Sequence, residues 1–468
     1  MRTWHWTRVA LDSFATRGGV LGPDSRPPHN MSGYYDYRGT ATLRELPRLG
    51  AHDLFPLGRF VNPRTGRRKR EIGLAPGDIA THALAVGPTG SGKTTSLVVP
   101  WAAAALDAGY ATIVADVTGA LVPKIGAELI ASGVSGVSAA RIDYRHPTPD
   151  GWAFVRELSD ERRLSAAAQA LIGRERPGDP QPFFWQRDTR LMTGLLATAH
   201  ASRRPVTARE LLAAVHDQRA LRAYVSAYGT PRAQVLLSDA LAADPFDYSK
   251  ITSGVVNALE PLAVPQVDAI TGNDRVRIDD ALSGSGLVAF GAPLGDGRLG
   301  ESFAALFLNL LIERVHARHG GSAYPAILII DEAARLADRV DFELLLSTSR
   351  AAGVSVVLAA QDIAQFPEGR VRDGVLANCQ TLITMPGVGA TTAQKVSERL
   401  GTRPEIEIDH HRQTNHFFAS AVNRRHQRVP VLDTREIFEP PFGPQCAVVH
   451  SRPLSPKPFV VDLSRSGL

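Results

Sequence analysis

Eight consecutive residues constrain this chain more than any other feature: Gly87-Pro-Thr-Gly-Ser-Gly92-Lys93-Thr94. The pattern Gly-x-x-x-x-Gly-Lys-Thr is a loop that wraps backbone N–H groups around phosphates. Its setting fits. The apolar run Ala83–Val86 predicts a strand entering the loop. The spacing from Thr94 to Leu106 predicts a helix leaving it, kinked at Pro100. A chance glycine-rich turn would not carry that strand–turn–helix context. Gly87, Pro88, Thr89, Gly90, Ser91, Gly92, Lys93, Thr94 and Thr95 are therefore expected to cradle a nucleotide. Lys93 would set a point charge at the β- and γ-phosphates, and Thr94 would offer its hydroxyl to Mg2+.

A second stretch reinforces the first. Ala326-Ile-Leu-Ile-Ile330 reads as a strand buried on both faces, and it ends in Asp331-Glu332. Behind a phosphate loop, an acid in that position holds Mg2+, here Asp331. Glu332 can then polarise the attacking water. That pairing suits an ATP hydrolase better than a small-molecule kinase, whose nucleophile is its substrate. The alternative for the acids is an ordinary solvated turn after a strand.

Composition narrows the class. The chain has 468 residues, 44% hydrophobic and 21% charged, which predicts a globular protein of two or three domains. Its two cysteines, Cys379 and Cys446, lack metal-ligand spacing and read as buried thiols in a reducing cytoplasm. Arg2-Thr-Trp-His is not followed by the apolar core of a secretory signal, and no apolar run reaches the roughly 18 residues a membrane helix needs. Residues 1–80 carry 13 Lys and Arg against 7 Asp and Glu, an excess larger than the net +5 of the whole chain. The density peaks at Arg64-Thr-Gly-Arg67-Arg68-Lys69-Arg70, which fits either a phosphate-backbone or anionic-membrane contact or a solvated hairpin turning at Thr65-Gly66.

Along the chain, residues 1–80 read as a basic appendage of loops and short strands. Residues 81–155 form the first part of a nucleotide-binding domain, with strands at 82–86 and 111–115. Residues 156–250 are rich in Ala, Leu and Arg, repeat apolar residues at helical spacing (Leu191, Leu195, Leu196, Ala199) and read as an all-α insertion. Residues 251–468 resume the alternation, with strands at 287–290, 326–330, 354–359 and 381–385, then a polar tail ending in a hairpin-like pair. Strands alternating with helices predict an α/β fold with a doubly wound, mainly parallel sheet.

This order of parts resembles the type IV secretion coupling ATPases of the TraG/TraD family, RecA-like motors with an inserted all-α domain. Beyond the phosphate loop, the matching stretches are Phe183-Phe-Trp185, Lys250-Ile-Thr-Ser-Gly-Val-Val-Asn-Ala-Leu259, Ile330-Asp-Glu-Ala-Ala-Arg-Leu336, Thr348-Ser-Arg350-Ala-Ala-Gly353 and Leu358-Ala-Ala-Gln361-Asp-Ile-Ala-Gln365. The resemblance implies that Arg350 is an arginine finger for a neighbouring subunit's ATP, where its guanidinium would offset developing charge. It implies that Gln361, at a strand's end, senses the γ-phosphate or holds the attacking water. Each also has a bland reading, a helix-surface arginine and a capping amide. The sequence departs from the family in three places. It shows no pair of membrane helices. Asp116-Val-Thr-Gly119 lacks the usual Lys-Gly-Glu, and Asp150-Gly-Trp-Ala replaces an Asn-Pro-Leu.

His410, His411, His416 and His426 lie among Arg412, Arg424, Arg425 and Arg428. They read as a solvated or nucleic-acid-contacting loop rather than a metal site. Trp4, Trp6, Val9 and Phe14 fit a disordered terminus or a partner-docking segment better than a membrane-surface helix.

The whole is expected to be a cytoplasmic ATP- and Mg2+-dependent motor, membrane-associated through partners. It would form a homo-oligomeric, hexameric ring that moves DNA in a conjugation-type machine. Lys93, Asp331, Glu332, Arg350 and Gln361 would carry catalysis, with Thr94 and Asp331 at the metal and relaxase-type proteins as further partners. The rival reading is an ATP-gated adaptor that recruits proteins without pumping DNA.

Overall fold

The computed structural model describes residues 39–47, 55–63, 65–146, 148–175, 182–318, 324–412, 420–440 and 445–464. The N-terminal aromatic segment, Arg64 and His416 lie outside them. So do the side chains of His410, His411, Arg412, Arg424 and Arg425.

Thirteen strands are described: β1 Phe55–Val61, β2 Arg68–Leu74, β3 Ala83–Val86, β4 Ala111–Asp116, β5 Ala139–Asp143, β6 Gly286–Gly291, β7 Ala326–Ile330, β8 Val354–Ala360, β9 Thr381–Thr384, β10 Thr402–Arg412, β11 Ser420–Pro430, β12 Cys446–Ser451 and β13 Phe459–Asp462. Eleven form one sheet in the order β2-β1-β13-β12-β9-β3-β8-β7-β4-β6-β5. The run from β9 to β5 is parallel throughout. The run from β2 to β12 is antiparallel, and β12 joins β9 antiparallel.

Alternation along the central strands builds two cores. Leu84, Val86, Leu328, Ile330, Val356 and Leu358 face one cluster. Ala83, Ala85, Ile327, Ile329, Val357 and Ala359 face the other. Side chains of period two point to both faces, and both faces are covered. That is why these strands read as unbroken apolar runs. Helices Val99–Asp107 and Leu121–Ala131 contribute to the second core. Helix Arg298–Ala317 and the helical region line the first.

The helix after the phosphate loop is not kinked at Pro100 in the expected way. A π turn over Thr94–Val98 runs directly into the α-helix Val99–Asp107, in whose first turn Pro100 sits. Proline has no N–H to donate, so the change of register falls where a donor is missing.

The helical region runs further than its composition suggested. Helices follow one another from Glu161 to Ser283, past residue 250 and up to β6. Their starts are chemically marked. Asp160, Thr207, Asp217, Thr230 and Asp244 each accept backbone N–H bonds as N-caps, and Thr207 forms a reciprocal box with Glu210.

Two features of the flanks differ from an appendage and a tail. β1 and β2 are strands of the main sheet, seated through β13. β10 and β11 pair in unbroken register from Thr402↔Pro430 to Arg412↔Ser420 as a separate two-stranded ribbon. Among the described residues, no helix is long and apolar enough to cross a membrane.

Candidate nucleotide-binding site

Ligands of parallel sheets sit at the carboxyl ends of the strands. Here β3, β8, β7 and β4 end side by side at Val86, Ala360, Ile330 and Asp116. Gly87 continues from β3 and donates its N–H to Ala360 O at 3.2 Å. A Cβ on Gly87 would stand 2.4 Å from Met385 Cβ, so only glycine fits between β3 and the end of β9. Gly90 and Gly92 take φ of +80° and +92°, left-handed values that turn the loop back on itself.

Lys93 lies inside this loop, 5% exposed. Its Nζ donates to Gly87 O at 2.5 Å and to Pro88 O at 3.2 Å. Burial lowers its pKa, opposed by the charges of Glu332 and Asp331. Thr94 is half-buried at the head of the π turn, and Thr95 is exposed with its hydroxyl on Gly92 O at 3.3 Å.

Asp331 is buried at the end of β7, and its carboxyl is pushed up to about 6. Desolvation is the main cause; the neighbouring charges of Glu332 and Asp116 add to it, and Lys93 opposes it. An acid so crowded by negative charge favours a cation beside it. Glu332 adopts φ +54° and ψ 39°, left-handed for a residue that rarely goes there. Its Oε1 accepts a hydrogen bond from Gln361 Nε2 at 3.2 Å.

Three buried polar atoms here have no partner among the described residues: Ser91 Oγ, Glu332 Oε2 and Thr384 Oγ1. Thr384 pairs with Val86 in the β9–β3 register, so its place is beside the loop. Buried polar groups normally find partners. A loop of N–H donors, a lysine, unpaired hydroxyls and a carboxylate pair together fit a polyphosphate with a divalent cation. Thr94 and Asp331 are the residues suited to the cation.

The structure thus brings Lys93, Asp331, Glu332 and Gln361 together. It does not bring Arg350 to them. Arg350 is exposed in the turn before β8, at the opposite edge of the sheet. Seven residues of strand, about 20 Å, separate the two edges.

Two residues escaped sequence reasoning. Asp116 stands in the sequence only as the head of the run Asp116-Val-Thr-Gly119. Its Oδ1 accepts from Thr118 N, Thr118 Oγ1 and Gly119 N, and its Oδ2 from Leu121 N and Val122 N. It thereby fixes the start of the following helix, Leu121–Ala131. His82 is buried at the entrance of β3 with φ +65°. Its Nδ1 accepts from Val356 N at 3.2 Å, so Nε2 carries the proton and donates to Leu346 O at 3.1 Å. Burial drives its pKa down to about 4, and the Arg350 charge assists. The only signal in the sequence was a histidine directly before an apolar strand.

The basic cluster is partly spoken for. Arg68 pairs with Asp462 at 2.5 Å, and Arg70 donates to Leu46 O at 2.9 Å. With exposed Lys69, and exposed Arg67 just ahead of it, they charge β2, the outermost strand of the sheet, where charge discourages edge-to-edge pairing. His426 is exposed, and no cluster of metal-ligating side chains occurs among the described residues.

Residues 70–249 match the family model described as the type IV secretion-system coupling protein DNA-binding domain. Residues 325–441 match the one described as the TraM recognition site of TraD and TraG. No curated protein matches the sequence. Among solved structures, the unbound bacterial conjugative coupling protein TrwBdeltaN70 superposes with a TM-score of 0.64 at 16% identity, over 90% of each chain. TrwB with the non-hydrolysable ATP analogue ADPNP gives 0.63 at 17% identity, over 91% of this chain and 97% of that one. TrwB with ADP and Mg2+ gives 0.62 at 17% identity, over 90% and 98%. At such identities the likeness shows the fold, a RecA-like sheet with a helical region.

Proposed function

This chain belongs to the TraG/TraD family of type IV secretion coupling proteins, and on that premise we propose that it hydrolyses ATP in a ring of identical subunits and drives DNA through a conjugation-type machine. The observation that carries the reading is the convergence of Lys93, Asp331, Glu332 and Gln361 on one loop beside three unpaired buried polar atoms. The nucleotide-bound TrwB structures support ATP and Mg2+ as the ligands. The match over residues 70–249 supports DNA as the substrate, and that over 325–441 supports a TraM-like accessory protein as partner.

Each residue has a task. The loop from Gly87 to Thr95 binds the phosphates through its N–H groups. Lys93 exchanges its carbonyl contacts on Gly87 and Pro88 for phosphate oxygens, a stronger pairing between opposite charges. Thr94 and Asp331 hold Mg2+, which when bound offsets the charge on the β- and γ-phosphates. Glu332 orients and deprotonates the attacking water. Gln361 competes for Glu332 Oε1, so movement of its amide toward the γ-phosphate frees the base. Arg350, on the far edge of its own sheet, serves the site of the next subunit. Domain limits follow the same logic: a sheet-building core on both sides of a helical region that contacts substrate.

The deciding experiment is ATP turnover of the purified protein with and without DNA. Stimulation by DNA is expected. ATP turnover indifferent to DNA but raised by a protein partner would favour the adaptor reading; no turnover under any condition would overturn both.

A further inference from the structure

We infer that Arg174 is a positioning residue that transmits the state of the nucleotide site to the helical region. The inference rests on the nucleotide reading above and names the link that such a motor requires.

Arg174 follows the first helix of the helical region, Glu161–Ile172. Its guanidinium reaches the α/β core. There Nη2 donates to Asp341 Oδ2 at 2.9 Å and Nη1 to Val340 O at 3.3 Å. The receiving segment belongs to the stretch that starts at Glu332. Asn309, on helix Arg298–Ala317, grips the same segment. Its Nδ2 donates to Arg339 O at 2.9 Å and its Oδ1 accepts from Asp341 N at 3.3 Å. Asp341 also caps helix Phe342–Thr348 by accepting from Leu344 N at 3.0 Å, and that helix leads to Arg350. The chain between the proposed water-activating glutamate and the proposed finger is thus held midway by one residue of the core and one of the helical region.

One end of this stretch is strained. Glu332 is left-handed, and its Oε2 is buried without a partner. Backbone strain of this kind clusters at active sites and switch regions. Relaxing Glu332 shifts the downstream residues, Val340 and Asp341 among them, and Arg174 moves with these two. On the far side of Arg174, Trp185 Nε1 donates to Gly173 O at 2.8 Å. Trp185 lies in the long helix Pro182–Ala201, so a shift at Arg174 passes directly into the body of the helical region. A cleft of about 410 Å3 beside these contacts, bordered by Arg162, Gln169, Arg174, Glu313 and Leu344, leaves room for that shift.

Trp185 is half-buried and reports on its own surroundings. The test uses the full chain, ADPNP and Mg2+, with tryptophan fluorescence read as the difference between each protein and its Trp185→Phe counterpart. A fluorescent nucleotide measures binding separately. The parent is expected to change its Trp185 signal on binding. Arg174→Ala should bind ADPNP within about twofold of the parent yet lose that signal, and its DNA stimulation of turnover should fall to near one. Arg174→Lys, which keeps a charge for Asp341, should retain part of both. Should Arg174→Ala fail to bind through misfolding, Asp341→Asn gives the same decision, because the amide keeps the Leu344 cap and drops the charge. A Trp185 signal that persists without Arg174, or a parent that binds ADPNP with no change at Trp185, overturns the link and leaves the nucleotide reading standing. A parent that does not bind ADPNP removes the nucleotide reading, and the link with it.

Discussion

Gln361 Nε2 donates to Glu332 Oε1 at 3.2 Å, across the ends of neighbouring strands β8 and β7. The other carboxylate oxygen, Oε2, is buried without a partner among the described residues. Glu332→Gln keeps the size of the side chain and removes the proposed base. Nucleotide binding should survive, while turnover drops by about 10²–10⁴. Turnover at the parental rate, measured beside a direct binding curve, would show that another group activates the water.

Lys93→Ala removes the charge that the loop encloses. Burial has already lowered the pKa of that ammonium, so its pairing with phosphate is made at low dielectric. Loss of detectable ATP hydrolysis is expected, with the thermal midpoint of the nucleotide-free protein little changed. Undiminished hydrolysis would remove this loop from the active site.

Arg350 should act in trans. Arg350→Ala is expected to bind ATP normally and to hydrolyse it about 10³–10⁵ times more slowly, the range of an arginine finger. Mixing Arg350→Ala with Lys93→Ala subunits gives some interfaces a working loop and a working finger. Partial recovery of activity is expected. Mixed rings with no recovery, their formation verified by mass spectrometry, would rule out the shared site.

His82 makes a pH prediction. Its folded pKa of about 4 lies below the ordinary 6.5, so the unfolded chain takes up the proton first as pH falls. The neutral imidazole's stabilisation is present in full above pH 6.5 and is lost on descent toward pH 4. By linkage the loss reaches about 2 kcal/mol at pH 5. Urea midpoints at pH 7.5 and 5 should differ more for the parent than for His82→Gln. Equal differences would mean the imidazole is not the titrating group.

If the β1–β2 turn also meets DNA, Arg67 and Lys69 are the residues of the cluster that, among the described ones, have side chains to spare, because Arg68 and Arg70 are engaged within the fold. Neutralising both should flatten the salt dependence of single-strand binding by about 0.7 per contact. An unchanged slope assigns the cluster to protecting the sheet's edge alone.

Some of this was legible in the sequence, for a physical reason. β3, β4, β7 and β8 are covered on both faces and read as apolar runs. The loop motif and the acid pair are local patterns, and locality survives in a string of letters. β5 has a half-exposed edge position and an Ala-Ala-Arg start, so its alternation is faint. β10 and β11 form a ribbon of two strands only, and their polar composition hid them. The Gln361–Glu332 contact depends on which strands are neighbours, and sequence order does not give that. The left-handed backbones of His82 and Glu332 are imposed by their surroundings, and neither residue type advertises them.

Arg68 and Asp462 are paired although 394 positions apart. β1 is seated between β2 and β13, so the β1–β2 hairpin reaches the rest of the sheet only through a strand made nearly 400 residues later. At roughly 5–20 residues per second of synthesis, the hairpin near the start waits about 20–80 s on the ribosome for its mate. The phosphate loop emerges early and sits in a sheet that cannot close. A nascent chain therefore cannot complete this sheet before β13 is made, and loss of Phe459–Asp462 would unseat the β1–β2 hairpin as surely as a lesion within it.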